Sequence, residues 1–267
     1  MSKGILYTVG YTLFQDGQML NLERMFSTLR QYGIGYLVDV RSVPYSKQYP
    51  QSNAESLRAN GRRYGITYGH MPEIGAKASN DRDVFSKAKD IFFEDVFPIS
   101  KSNRPEKTEL RADEEIVDFN KFRHDEYFVD GLRRIENAYR NNLTLALMCS
   151  EKRPFECHRY FLISKAIEQR FGDLIEVKHI MQAPNGEIIT MSNQVINKQL
   201  QDAIFKKKEI ASLDILSATL ERPAIIDNYY GNSIEEKLND FCDRYWNLMH
   251  GWKRITYGYN NNTQEYD

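Results

Sequence analysis

Two short runs, Tyr36–Val40 (YLVDV) and Leu143–Met148 (LTLALM), are apolar at nearly every position instead of at alternate ones. A strand with water on one face alternates, whereas a strand covered on both faces reads as a continuous apolar run, as in a parallel sheet between helices. Around these runs the sequence keeps switching period. Ile5–Val9 reads as a first strand, and Leu22, Met25, Phe26 and Leu29 then fall at i, i+3, i+4 and i+7 of a helix that Gly33 stops. Ser52 and Glu55 have the spacing of a capping box for a short helix ending near Gly61. Ile66–His70 is a third strand, Glu126–Arg140 a helix, Tyr160–Phe171 a helix closed by Gly172, and Glu176–Ile180 a further strand. Strands alternating with helices imply right-handed βαβ units. The fold class expected is therefore α/β, a mostly parallel sheet flanked by helices.

Two regions depart from the alternation. Residues 76–125 are charged and irregular, with an aromatic-rich stretch from Phe85 to Phe97, and are read as an insertion with its own helix, suited to a lid or partner surface. Past about residue 195 the strand–helix alternation stops. There Asn232–His250 gives an amphipathic helix with Ser233 and Glu236 as a capping box and Leu238, Phe241, Cys242, Tyr245 and Met249 on one face. The domain reading is an α/β domain over 1–195 and a helical C-terminal extension over 196–267, ending in the polar tail YNNNTQEYD.

Lys plus Arg (36) nearly balances Asp plus Glu (37), so net charge gives no bulk attraction to nucleic acid or membranes. No apolar run approaches the roughly 20 residues that span a bilayer, and the start, MSKGILYTVGYTLF, lacks a signal-peptide pattern. Three cysteines make no disulfide framework. A reducing, cytoplasmic setting is expected.

In open parallel sheets ligands bind beyond the carboxyl ends of strands, near the point where strand order reverses. Four such ends here carry polar or ionisable residues: Gly10-Tyr11-Thr12, Asp39-Val40-Arg41, His70-Met71-Pro72-Glu73, and Cys149-Ser150-Glu151 leading to Cys157-His158-Arg159. A helix beginning near Glu156 or Cys157 would turn free N–H groups toward an anion or a thiolate, and a cysteine beside His158 and Arg159 has reasons for a lowered pKa. Arg41 and Arg159 could clamp a phosphate or carboxylate. Cys149, Glu151, Cys157 and His158 are also ligand types of zinc and iron sites, although C-x-E-x5-C-H is not a zinc-ribbon spacing.

Each of these residues has a plainer role to weigh. Cys149 ends an apolar strand and could be a small buried hydrophobe. Asp39 and Arg41 could be a structural ion pair, and His70 could hydrogen-bond a carbonyl. Cys242 reads as packing, Lys206–Lys208 as a solvated helix end, and Tyr229-Tyr230-Gly231 as a turn. Cys157-His158-Arg159 resists such a reading best, since packing alone gives no reason for two polar side chains after a buried strand.

At these residues the sequence resembles the domain of unknown function 488 family. The likeness lies in Gly10-Tyr11-Thr12, Val38-Asp39-Val40-Arg41-Ser42-Val43-Pro44, and Asn53 with Leu57. It continues through Tyr68-x-His70-x-Pro72-x-x-Gly75, Leu147-Met148-Cys149-Ser150-Glu151 and Cys157-His158-Arg159, spanning about residues 5–180. Tyr11 stands where that family often has His. The resemblance implies an α/β fold and a shared polar motif set, without a reaction.

The leading expectation is an enzyme acting on a small anionic substrate, phosphate-bearing or nucleotide-like. Arg41 and Arg159 would bind the anion, with Tyr11, Thr12 and His70 beside it. Cys157 or Cys149 would be the nucleophile or a metal ligand, and Glu151, His158 or Asp39 would move protons. The second is a metal-binding protein holding zinc or iron on Cys149, Glu151, Cys157 and His158. The third is a nucleic-acid-binding or regulatory module, with aromatic side chains stacking on bases.

Overall fold

The computed structural model describes residues 3–77, 83–87, 115–206 and 226–250. Its centre is a six-stranded sheet of β1 (Gly4–Gly10), β4 (Tyr36–Asp39), β5 (Thr67–His70), β8 (Leu145–Cys149), β9 (Ile175–Gln182) and β10 (Ile188–Ser192). The order across the sheet is β10-β9-β1-β8-β4-β5. All pairings are parallel except β10 with β9. Two short ladders lie outside it: β2 (Gln15–Asp16) with β3 (Met19–Leu20), and β6 (Phe85–Lys87) with β7 (Glu115–Val117).

The helices are α1 (Leu22–Gln31), α2 (Ala54–Arg63), a short α3 (Phe119–Phe122), α4 (Glu126–Arg140), α5 (Lys165–Phe171), α6 (Asn193–Lys206) and α7 (Ile234–His250). The sheet's two faces carry separate apolar clusters. On β8, Leu145, Leu147 and Cys149 face one cluster, and Ala146 and Met148 face the other. Such double coverage is why LTLALM shows no alternation.

Several local expectations hold and several need correction. The mostly parallel α/β sheet is present, and Ser233 with Glu236 does form the capping box of α7: Glu236 N donates to Ser233 Oγ at 3.1 Å, and Ser233 N to Glu236 Oε2 at 3.3 Å. Ser52 and Glu55 do not form one. The residue before α2 is Asn53, whose side chain accepts from Ser46 N (2.7 Å) and gives α2 no cap. The Ser52 hydroxyl instead donates to Tyr49 O, three residues back, at 2.8 Å, so the preceding turn takes the hydroxyl the cap needed. The helix expected at Tyr160–Phe171 begins as a π-helical segment, Arg159–Ser164, before α5.

The antiparallel β10 and the short ladders were not anticipated. Of the expected insertion, the short α3 is described, while residues 88–114, including most of the Phe85–Phe97 stretch, lie outside the described residues, as do Lys207, Lys208 and the tail. No helix among the described residues is long and apolar enough to cross a membrane.

Candidate functional site

Chain order reverses at β1 and β8. From β1 the chain runs to β4 and β5, returns to insert β8 beside β1, then crosses to β9 on the other side. Gly10 and Cys149 are register partners at the carboxyl ends of β1 and β8, which puts Cys149 at the position where such sheets bind ligands. After Cys149 the chain makes a 3-10 turn, Pro154–Glu156, leaves Cys157 extended (φ −137°, ψ 147°), and enters the helical segment at Arg159. His158 already has helical backbone angles, and Cys157 O accepts from Phe161 N at 3.3 Å, so Cys157 is the residue that opens the helix, close to the start expected near Glu156 or Cys157.

The connection also folds Cys157 back onto Cys149. The sulfur atoms of Cys149 and Cys157 and a ring nitrogen of His158 all lie within 4.8 Å of one another, and all three residues are buried. His158 Nδ1 is 3.6 Å from each sulfur. Its other nitrogen, Nε2, sits 3.1 Å from Val40 O at the end of β4. A carbonyl only accepts, so Nε2 carries the proton and Nδ1 turns its lone pair toward both thiols. Glu151, half-buried, accepts from Cys149 Sγ at 3.0 Å.

Electrostatics sharpen this picture. Burial, reinforced by the neighbouring Cys157 thiol and the Glu151 carboxylate, pushes the Cys149 thiol well above its ordinary value. Burial alone would also raise Glu151, but hydrogen bonds from Cys149 and Cys157 and the His158 ring hold it down at about 2. Two thiols with their protons thus face a carboxylate and an imidazole lone pair. A divalent cation is the natural replacement for those two protons. The spacing agrees: tetrahedral zinc with Zn–S of about 2.3 Å and Zn–N of about 2.0 Å puts S and N about 3.5 Å apart, against 3.6 Å here.

The remaining expected residues form a frame around this cluster. Asp39 and Arg41 make a buried two-pronged pair, Nε to Oδ1 at 2.9 Å and Nη2 to Oδ2 at 2.6 Å. Arg41 also donates to Ser52 Oγ (3.3 Å) and Ser52 O (2.6 Å) and lies over the Tyr11 ring at 5.2 Å. Tyr68 donates to Asp39 Oδ2 at 2.9 Å. Arg41 is therefore committed to Asp39 and Ser52, and it does not join Arg159 in an anion clamp. His70 Nε2 is 2.8 Å from Arg41 O, and Thr12 Oγ1 donates to Ser150 O at 2.6 Å.

Other features lay beyond the sequence reading. Thr8, His179 and Asn193 form a buried chain, Thr8 Oγ1 to His179 Nδ1 at 2.7 Å and His179 Nε2 to Asn193 Oδ1 at 2.8 Å. The alternation of β9 gave no sign that a histidine there would be buried and neutral. A cavity of about 680 Å³ lies away from the cysteines, against α5, α6 and α7, with Glu168, Asn193, Asn197 and Glu235 among its walls.

The model of the family described as Domain of unknown function DUF488 matches residues 21–166, more than half of the 267. That span holds Asp39, Arg41 and the whole Cys149–Arg159 segment and leaves out Tyr11, Thr12 and the C-terminal helices. No curated protein and no solved structure matches the chain. On this match, and with the fold and motif set in agreement, the chain belongs to the domain of unknown function 488 family.

Proposed function

We propose that this protein binds a transition metal, zinc or iron, on Cys149, Cys157 and His158, with the Glu151 carboxylate in the fourth position. The observation that carries the reading is the convergence of three buried ligand atoms within 4.8 Å, two of them soft sulfurs. Thiolate and imidazole donors suit zinc and iron and disfavour magnesium and calcium. His158 has the outer support usual for such ligands, its second nitrogen held by a backbone carbonyl. Glu151 is less buried than the other three, so it is the ligand a substrate oxygen could displace, as an open catalytic position requires. A cytoplasmic, reducing setting belongs to the same reading, since it keeps both sulfurs available as ligands.

The reading as an enzyme of an anionic substrate is narrowed by this arrangement. Arg41 is occupied, and both cysteines are better placed as ligands than as nucleophiles. A nucleic-acid-binding module loses Arg41 and Arg159 as phosphate contacts, because both are buried.

Metal content of untagged protein purified without chelator or added metal tests the proposal. About one zinc or iron per chain is expected, falling to background in Cys149→Ser and Cys157→Ser. Loading the apoprotein is expected to release protons from the two thiols, read as acidification of a weak buffer. Metal-free wild-type protein that also takes up no zinc or ferrous iron on addition would reject the centre.

A further inference from the structure

Arg159 is the largest fully buried side chain of the described residues, with 0% of its surface exposed. Its partners do not match its charge. Nη2 donates to Lys152 O at 3.1 Å, while Nε and Nη1 have no hydrogen-bond partner among the described residues. Among the described residues it forms no ion pair within 4.0 Å, unlike the buried Arg41 and Arg123, which hold Asp39 and Asp243. Its charge is felt at His179, whose ring nitrogens are occupied by Thr8 and Asn193 and whose affinity for a proton is lowered by burial first and by the Arg159 charge. Gly10 and the Glu151 carbonyl lie against the guanidinium: a side chain at Gly10 would meet Glu151 O at 1.7 Å and Arg159 Nη1 at 2.6 Å.

A desolvated guanidinium with three unanswered N–H donors is costly unless a negative group with several acceptor oxygens joins it. We propose that Arg159 is the oxyanion subsite of the metal centre, receiving the carboxylate or phosphate group of a small substrate through Nε and Nη1. Its place in a reaction rests on the metal reading, because Arg159 directly follows the ligands Cys157 and His158. Its affinity for an anion stands alone.

Entry requires the Ser150–Cys157 connection to move. That connection is held by Thr12 on Ser150 O, by Arg159 itself on Lys152 O, and by Lys152 Nζ on Gln182 Oε1 at 2.6 Å. Thr12 holds Ser150 O through both its backbone N (3.2 Å) and Oγ1, while the other two ties are single hydrogen bonds and that to Gln182 is exposed. Gly10 is what lets the Glu151 carbonyl and Arg159 Nη1 approach the end of β1 this closely.

The test is calorimetric titration of the full chain with inorganic phosphate and, separately, acetate. It is run on metal-loaded wild type, metal-free Cys157→Ser, and Arg159→Lys, which keeps the charge and loses the fork. Saturable binding by wild type is expected, weakened at least about tenfold in Arg159→Lys with metal content unchanged. Binding by the metal-free variant would separate the subsite from the metal, so the two readings fail independently. A second readout needs no variant: a solvent-shielded arginine Nε proton is expected to shift in ¹⁵N-arginine spectra as phosphate is added. Absence of saturable binding to wild type, equal affinity in a folded Arg159→Lys, or no shifting Nε proton would overturn the proposal and leave water as the partner of both nitrogens.

Discussion

Asp39 and Arg41 show how one pair of residues can look catalytic and serve the frame. An acid and a base two apart at a strand end suggested proton transfer and anion binding, yet every contact they make is internal. Asp39 is fully buried and accepts from Arg41 through its backbone N, Nε and Nη2 and from Tyr68 through its hydroxyl. Burial, together with the nearby Asp39 charge, raises the Tyr68 phenol, so Tyr68 stays a donor across the working pH range. Removing one partner of a buried pair leaves the other charge unpaired and costs about 3–5 kcal/mol. Arg41→Met is therefore expected to lower the unfolding free energy by that amount in guanidinium titrations while keeping about one metal per chain. A loss under about 1 kcal/mol would mean that Asp39 finds another partner, and the frame reading of the pair would fail. Residue types alone could not separate these roles, because the deciding contacts come from Ser52 and Tyr68, far along the chain.

At the scale of elements, period and composition located most of the sheet. The strands with continuous apolar runs are where they were expected, because burial on both faces leaves a mark that needs no tertiary knowledge. What the sequence could not carry was competition between local and distant hydrogen bonds. Ser52 turned from its cap to Tyr49 O and Arg41, and Cys157 meets Cys149 from the start of its helix. His179 is the same lesson on a strand. Burial pushes it down to about 3, the Arg159 charge acts in the same direction, and a hydrogen bond with Asn193 opposes both. The unfolded chain binds that proton at about 6.5, so between the two values the unfolded state holds more protons and acid favours unfolding. Stability is expected to fall by about 1 kcal/mol as the pH drops from about 6.5 to about 5.5, the slope steepening toward about 1.4 kcal/mol per pH unit at the lower end. That window lies above the range where carboxylates titrate. His179→Gln is expected to flatten this slope, whatever its own cost, and equal slopes in denaturant titrations of the two proteins would refute the assignment.

For the molecule as a whole, the amphipathic helix near the end of the sequence was legible, but what it docks on was not. Leu238, Phe241 and Cys242 of α7 enter the same apolar cluster as Cys149 and Cys157. The specific tie is Asp243, which accepts from Arg123 through both carboxylate oxygens (2.9 and 2.6 Å) and from Lys165 at 3.1 Å. These three residues stand 42 and 78 positions apart, a separation that no local pattern reveals. Burial would raise the Asp243 carboxyl, but the two cations outweigh it and hold the group below its ordinary value. Arg123 and Lys165 are themselves 2% and 4% exposed, so Asp243→Asn leaves two buried cations with no full counter-charge. A loss of about 3–5 kcal/mol is expected, and it should be local in character. Amide exchange in α7 is expected to accelerate well beyond that in β1 and β8, because the helix then opens as a separate unit. Metal content should survive, since none of the four ligands touches this tie. Uniform acceleration through the sheet would instead make α7 part of one cooperative core with the metal centre.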